Sequence, residues 1–198
     1  MCSQSSIVSI ISTFDKVLVE LGMGDGQLLA KILEYRNSPN TCYVGIEIDP
    51  KQIQKARHKL RGRNIYLINE SFENALSYFP DNYVDEFIFT LPPPSYIDKS
   101  MVSQWILLYQ NIYKKLKEKG TLTIVTEIIN DLLEPVSDIE FRSWKNWLSC
   151  KFVTIGFIIK EMLDNSPCHY SSHFLNQFKG DRLRIKLITL TLAKSNSQ

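Results

Sequence analysis

The chain has 198 residues, 44% of them apolar and 22% charged, with a net charge of +2. A chain of that length buries roughly two-thirds of its unfolded surface, and this balance of residues excludes a disordered or fibrous protein. The small net charge excludes recognition of a polyanion by bulk electrostatics alone, so any nucleic-acid reading has to rest on where charges cluster.

Residues 6–14 place apolar side chains at helical spacing and predict a short lead-in helix. Lys16–Leu21 is a short apolar run that ends in an acid and a glycine, which predicts a buried strand. A helix follows over Gln27–Tyr35, a strand over Tyr43–Ile48, and a helix over Lys51–Leu60 that opens behind Asp49-Pro50. The alternation continues with a strand at Asn64–Ile68, a helix at Ser71–Phe79 and a strand at Val84–Thr90. Beyond a proline break, Met101–Lys119 predicts a long amphipathic helix with Gly120 as its C-cap. Thr121–Thr126 reads as a strand and Phe141–Leu148 as a helix. Two late strands near Phe152–Ile159 and Leu183–Leu192 form a hairpin-like pair. Strands separated by helices require right-handed crossovers, so the expected fold is a doubly wound, Rossmann-like, mostly parallel α/β sheet with helices on both faces. The whole chain, 1–198, is expected to be one domain.

The first strand leads into Glu20-Leu-Gly22-Met-Gly24-Asp25-Gly26 and then a helix. Alternating glycines let the backbone turn sharply and approach a ligand where a Cβ would collide. The helix N-terminus adds unpaired N–H donors suited to an anionic group. Glu47 and Ile48 close the second strand, and a carboxylate there can accept both hydroxyls of a ribose. Asp49 reads as the cap of the next helix. At the third strand end, Glu70, Ser71 and Phe72 are placed to meet a purine ring with a polar group and an aromatic face. At the fourth, Thr90-Leu91-Pro92-Pro93-Pro94-Ser95-Tyr96 stands where α/β sheets expose ligands. Successive prolines fix the backbone and leave carbonyls free as acceptors, and Tyr96 can stack on a base.

The G-x-G-x-G spacing behind Glu20 resembles the first motif of class I methyltransferases, which implies S-adenosylmethionine as the cofactor and a seven-stranded sheet whose last strand is inserted antiparallel. Further segments resemble the tRNA (guanine-N7)-methyltransferase family. These are Gly45-Ile-Glu47, Asn64-Ile-Tyr-Leu-Ile-Asn69, Lys119-Gly120 leading to Thr126-Glu127, and Ser172-His-Phe174-Leu-Asn-Gln-Phe178. The resemblance implies Glu20, Gly22, Gly24, Gly26, Glu47, Ile48, Glu70, Ser71, Phe72, Thr90 and Leu91 around the cofactor. It sets Pro92, Pro93, Pro94, Tyr96, Thr126, Glu127 and Ser172 toward an RNA substrate, with tRNA favoured. The chain departs from that family where Pro93 replaces an Asp, where Ile97-Asp98-Lys99-Ser100 replaces a basic run, and where Leu175 replaces a Glu. An rRNA base or a small molecule remains an alternative acceptor. A NAD-dependent oxidoreductase and a non-catalytic cofactor-binding module are the alternatives from other classes.

No catalytic acid or base stands out, and transfer to a ring nitrogen with a free lone pair needs none. Cys2, Cys42, Cys150 and Cys168 form no C-x-x-C pair, which predicts reduced, partly buried thiols. His58, His169 and His173 lack ligand spacing, so no metal is expected. With no apolar run long enough for a membrane span and no basic leader, the expected location is cytoplasmic. Six cations and no acid lie between Lys51 and Arg63. They are a solvated helix face or a phosphate contact.

Overall fold

A computed structural model describes residues 9, 11–129 and 134–195. Part of the predicted lead-in helix, residues 6–8 and 10, therefore lies outside the described residues, as does Cys2; Ile11, at its end, is buried. The elements in order are β1 (Lys16–Leu21), α1 (Gln27–Arg36), β2 (Thr41–Glu47), α2 (Pro50–Lys59), β3 (Ile65–Asn69), α3 (Phe72–Ala75), β4 (Val84–Thr90), α4 (Val102–Lys115), β5 (Leu116–Ile129), α5 (Asp138–Ile155), β6 (Phe157–Asp164), α6 (His173–Gly180) and β7 (Ile185–Lys194). The strands form one seven-stranded sheet in the order β3-β2-β1-β4-β5-β7-β6. β1 to β5 run parallel, and β7 runs antiparallel between β5 and β6. This is the doubly wound arrangement expected.

Alternation along each strand divides the core into two layers. Val17, Val19, Leu21, Phe87 and Phe89 face Trp105, Tyr109 and Ile112 of α4 and Leu148 and Phe152 of α5. Leu18, Ile88 and Val125 face Leu28, Leu29 and Ile32 of α1, Ala56 of α2, and Tyr170 and Leu175 around α6. Helices therefore cover both faces, and the strand ends that carry the motif residues open along one rim. Local capping sets where the helices start. The Asp49 side chain accepts from Lys51 N at 2.8 Å and Pro50 occupies the first turn of α2, while Ser71, Ser137 and Ser172 cap α3, α5 and α6.

Four elements differ from their sequence expectation. The helix predicted to run to Lys119 stops at Lys115, because Leu116 already pairs with Val84 and a register shift follows. Gly120 is a strand residue and caps no helix. A Cβ there would lie 2.9 Å from the Lys117 carbonyl oxygen and 3.1 Å from that of Val84, so close backbone approach requires the glycine. Residues 152–155 are the end of α5 and not a strand; Gly156, at φ 116, ends the helix and β6 starts after it. The helix at 71–79 is a four-residue turn followed by a tight turn at Leu76–Tyr78. The helix α6 was not anticipated. Among the cysteines, Cys42 is buried and Cys150 and Cys168 are exposed, all three as free thiols.

Candidate active site

The turn after β1 holds Gly22, Gly24 and Gly26 at φ 64, 57 and 74, the left-handed region that side chains other than glycine rarely enter. Their roles differ. A Cβ on Gly26 would stand 2.7 Å from Leu60, so this glycine serves the packing of α2 against the start of α1. A Cβ on Gly24 would meet nothing within 4 Å, so the turn presents a bare backbone to open space. Met23 N donates to Ile46 O at 2.9 Å and ties the turn to β2. From the end of β2, the Glu47 carboxylate accepts from Gly24 N at 2.9 Å and from Asp49 N at 2.8 Å. Glu47 is thereby held across the mouth of the turn.

Glu20 lies beneath the turn, 1% exposed, and does not line the open cleft. Burial pushes its carboxyl up to about 8, the negative charges of Asp25 and Glu47 add to that, and a backbone hydrogen bond at Leu29 opposes it. Its Oε2 has no partner. A buried carboxyl without a counter-charge costs stability, and it is the one group under this turn whose charge a cation would restore.

A cleft of about 620 Å³ opens beside the turn. It is lined by Gly22, Glu47 and Ile48, by Glu70, Ser71 and Phe72, and by Thr90, Leu91, Pro93 and Tyr96, all chosen from sequence, together with Ile46, Glu73, Asn74 and Phe89. Glu73 and Asn74 carry no motif of their own; the short turn of α3, capped by Ser71, brings them in. Glu70 accepts from Ser71 N at 2.9 Å and from Asn74 Nδ2 at 3.3 Å. Phe72 stands edge-on to both Phe89 and Tyr96, each at a ring separation of 5.0 Å. The Tyr96 hydroxyl donates to Glu73, and that bond, with burial, raises Tyr96 to about 12. One wall is thus aromatic and the other is acidic, with Glu47, Glu70 and Glu73.

Leu91 takes φ 50 as the chain leaves β4 and donates its N–H to Val125 O at 2.7 Å. The proline turn that follows is less open than its sequence suggests. Tyr96 N donates to Pro93 O at 2.8 Å, and Ile97 N and Asp98 N donate to Pro94 O at 3.1 and 2.8 Å. The carbonyls expected to face a substrate are therefore largely consumed within the turn, and Pro92 is buried.

Across the proline turn lies a second cleft of about 560 Å³, lined by Pro94, Ile97, Asp98, Lys99, Glu127, Ile128, Ile129, Glu140, Ser143 and Trp144. Glu127 enters it from the end of β5, with burial pushing its carboxyl up to about 7 and Oε2 unpartnered. Thr126 is fully buried in the sheet. Ser172 caps α6 by accepting from Leu175 N at 3.2 Å and lines neither cleft. A further depression of about 440 Å³ lies around the opposite strand ends, lined by Asp15, Arg36, Asp85 and Glu86. Arg36 pairs with Glu86 there, Asp85 pairs with Lys117, and Asp15 accepts from Asn40 Nδ2 at 2.9 Å. Among the described residues no cluster of His, Cys, Asp and Glu is placed to hold a metal ion, and no helix is long and apolar enough to cross a membrane.

S-adenosylmethionine carries a sulfonium, an ammonium and a carboxylate, a ribose diol and an adenine, with a net positive charge. The residues present fit it: a bare glycine cradle, a carboxylate at the second strand end, an orphaned buried carboxyl and an aromatic wall. With a seven-stranded sheet of this order, they define a class I S-adenosylmethionine-dependent methyltransferase. Residues 15–142 match the model of the methyltransferase family Methyltransf_4, and the chain belongs to that family.

Among curated relatives it is 26% identical over 133 residues to a bifunctional glycosyltransferase/methyltransferase of Fusobacterium nucleatum, covering 64% of this chain and 20% of that protein. It is 29% identical over 96 residues to a tRNA (guanine-N(7)-)-methyltransferase of Wolbachia pipientis, covering 46% of this chain and 42% of the relative. The chain thus spans less than half the length of these relatives. The fold of the 16S rRNA methyltransferase KamB superposes with a TM-score of 0.74 at 16% identity, covering 99% of this chain and 95% of that one.

Proposed function

We propose that this chain transfers a methyl group from S-adenosylmethionine to a base nitrogen in RNA, with guanine N7 of tRNA as the acceptor. The observation that carries the cofactor half is the acidic lining of the larger cleft. Glu47 already occupies Gly24 N, and Glu70 and Glu73 stand opposite. Such a field favours a cationic cofactor and opposes the pyrophosphate of a dinucleotide, which needs free N–H groups at this position.

The acceptor half rests on the second cleft and on the relatives named tRNA (guanine-N(7)-)-methyltransferase. Glu127 is a carboxylate acceptor at the end of β5, beside the ring of Trp144. Guanine presents two adjacent N–H donors on its Watson–Crick edge, and a carboxylate can accept both. Held in that way, the base keeps its N7 lone pair free. S-adenosylmethionine supplies an electrophilic methyl group on sulfur. The protein's part is to orient the base so that the reacting atoms lie about 3 to 3.5 Å apart and in line, which needs no general base. Leu91 and the rigid turn of Pro92 to Tyr96 separate the two clefts and set the approach.

Calorimetric titration of the purified chain with S-adenosylmethionine and with NADH tests the cofactor. Labelled-methyl transfer to total tRNA and to 16S rRNA, with digestion to nucleosides, tests the acceptor. Binding of S-adenosylmethionine and formation of 7-methylguanosine in tRNA are expected. Binding without transfer to any RNA overturns the acceptor, and transfer to rRNA alone moves the substrate to the ribosome.

A further inference from the structure

We propose that the outer face of α2 and the segment after it, from Lys51 to Arg63, is a docking track for the phosphate backbone of the RNA substrate; this deepens the RNA reading and rests on it. Lys51, Lys55, Arg57, Arg61 and Arg63 are exposed, and none has an acidic partner among the described residues. Only Lys59 in this stretch is paired, to Asp25 of the glycine turn. Other basic runs alternate with acids, as in Lys117-Glu118-Lys119 and Lys160-Glu161. Here no acid interrupts 13 residues.

Helix stability alone does not account for this arrangement. Within the helix, Lys51 and Lys55, and Lys55 and Lys59, are like charges at i and i+4, which repel. The helix dipole favours cations in the last turn, which covers Arg57 and Lys59. It disfavours Lys51 in the first turn. Ile53, Ala56 and Leu60 turn the opposite side of α2 into the core, so 3.6-residue periodicity directs Lys51, Lys55 and His58 outward as one stripe.

The placement relative to the cleft gives the stripe its use. α2 begins at Asp49, directly after Glu47 and Ile48 of the cofactor cleft, and Ile48 itself is 67% exposed. The track therefore starts at the cleft rim and runs away from it for about 15 Å over ten helical residues. A run of exposed cations leading out of a methyl-transfer cleft matches a partner with continuous negative charge, the ribose-phosphate chain whose base enters the cleft.

The test is binding of fluorescently labelled total tRNA between 50 and 300 mM KCl, by anisotropy. It compares the full chain with Lys51→Gln/Lys55→Gln/Arg57→Gln/Arg61→Gln and with a control of equal charge, Lys16→Gln/Lys114→Gln/Lys119→Gln/Lys160→Gln. At about 0.7 per released counterion, loss of four contacts lowers the slope of log K against log salt by about 2 to 3, and affinity near 0.15 M salt falls about 100-fold. The control is expected to keep most of its slope, and S-adenosylmethionine titration of the track variant to stay within twofold of the parent. In methyl transfer, KM for RNA rises and kcat at saturating RNA stays. An unchanged slope in the track variant, or an equal drop in the control, overturns the proposal. So does loss of cofactor binding in step with RNA binding, which would make the segment part of the cofactor site. Stronger track-dependent binding to phosphatidylserine vesicles than to RNA overturns it in favour of a membrane surface. Track-dependent RNA binding without methyl transfer leaves the track standing and removes the proposed reaction instead.

Discussion

The two clefts on either side of the proline turn are similar in volume and built on opposite principles. The larger one is made by the ends of β1, β2, β3 and β4, four strands adjacent in the sheet. Its lining is strand-end carboxylates, one of them bonded to the glycine turn, and one aromatic wall. The smaller draws on the turn after β4, the end of β5 and the first turns of α5, and its polar groups are single side chains, of which Asp98 is held by Ser100 and Glu127 Oε2 has no partner. A cleft built where adjacent strands end together suits an invariant ligand. A side-chain-built one is where substrate choice can change without disturbing the fold.

The sharpest way to break that contrast is Gly24→Arg. The Cβ position is open, so the chain folds at a cost of about 1 to 2 kcal/mol for a left-handed arginine, yet the side chain fills the cradle. Calorimetry should show S-adenosylmethionine binding abolished while the circular dichroism spectrum stays native.

Next comes Glu20. Its folded value, about 8, lies above the ordinary 4.5, so the folded chain holds a proton that the unfolded chain releases. Its contribution is fully present below about pH 4.5 and is lost as pH rises through 8, on the order of a few kcal/mol. Urea midpoints of the parent should fall between pH 5 and 8. Glu20→Gln should remove most of that fall and leave a smaller part from Glu127, whose value is about 7.

Glu47→Ala removes the acceptor of Gly24 N and the strand-end acid proposed to meet the ribose. A loss of about 2 kcal/mol, roughly 30-fold in cofactor affinity, is expected from hydrogen bonds to a charged group. Glu127→Gln probes the other cleft: KM for RNA should rise about tenfold, equivalent to about 1.4 kcal/mol, with cofactor binding unmoved. If both variants change the same parameter, the separation of the clefts is wrong. The smallest effect belongs to Leu91→Asn. Relief of the left-handed backbone, worth about 1 kcal/mol, offsets the apolar contact given up, and the melting temperature should move by less than about 3 °C.

The larger cleft was legible because its residues are local. Gly22, Gly24, Glu47, Ser71 and Phe72 each sit at the end of a strand that hydrophobic patterning marks clearly, and parallel pairing of β1, β2 and β3 brings those ends into line. The second cleft and the proline turn were harder to read. The expected carbonyl wall vanished because the Pro94–Tyr96 turn bonds to its own carbonyls, and Ser172 was claimed by the cap of a helix that the sequence pattern did not announce. Glu73 and Asn74 gave no signal, since they reach the cleft only through a four-residue helical turn.

By itself, then, the order of residues determined the alternation of strands and helices, the glycine turn and the acid at the end of β2. Each of these follows from backbone conformation and period over a few residues. Tertiary structure alone decided that β5 begins at Leu116, where pairing with β4 outcompetes the helix pattern and demands glycine at 120. It also decided that Glu20 is buried without a counter-charge and that Lys51, Lys55 and Arg57 of α2 face solvent without an acidic partner among the described residues, while Lys59 pairs with Asp25. Burial and ion pairing depend on which distant elements come to lie alongside, and no local pattern carries that information.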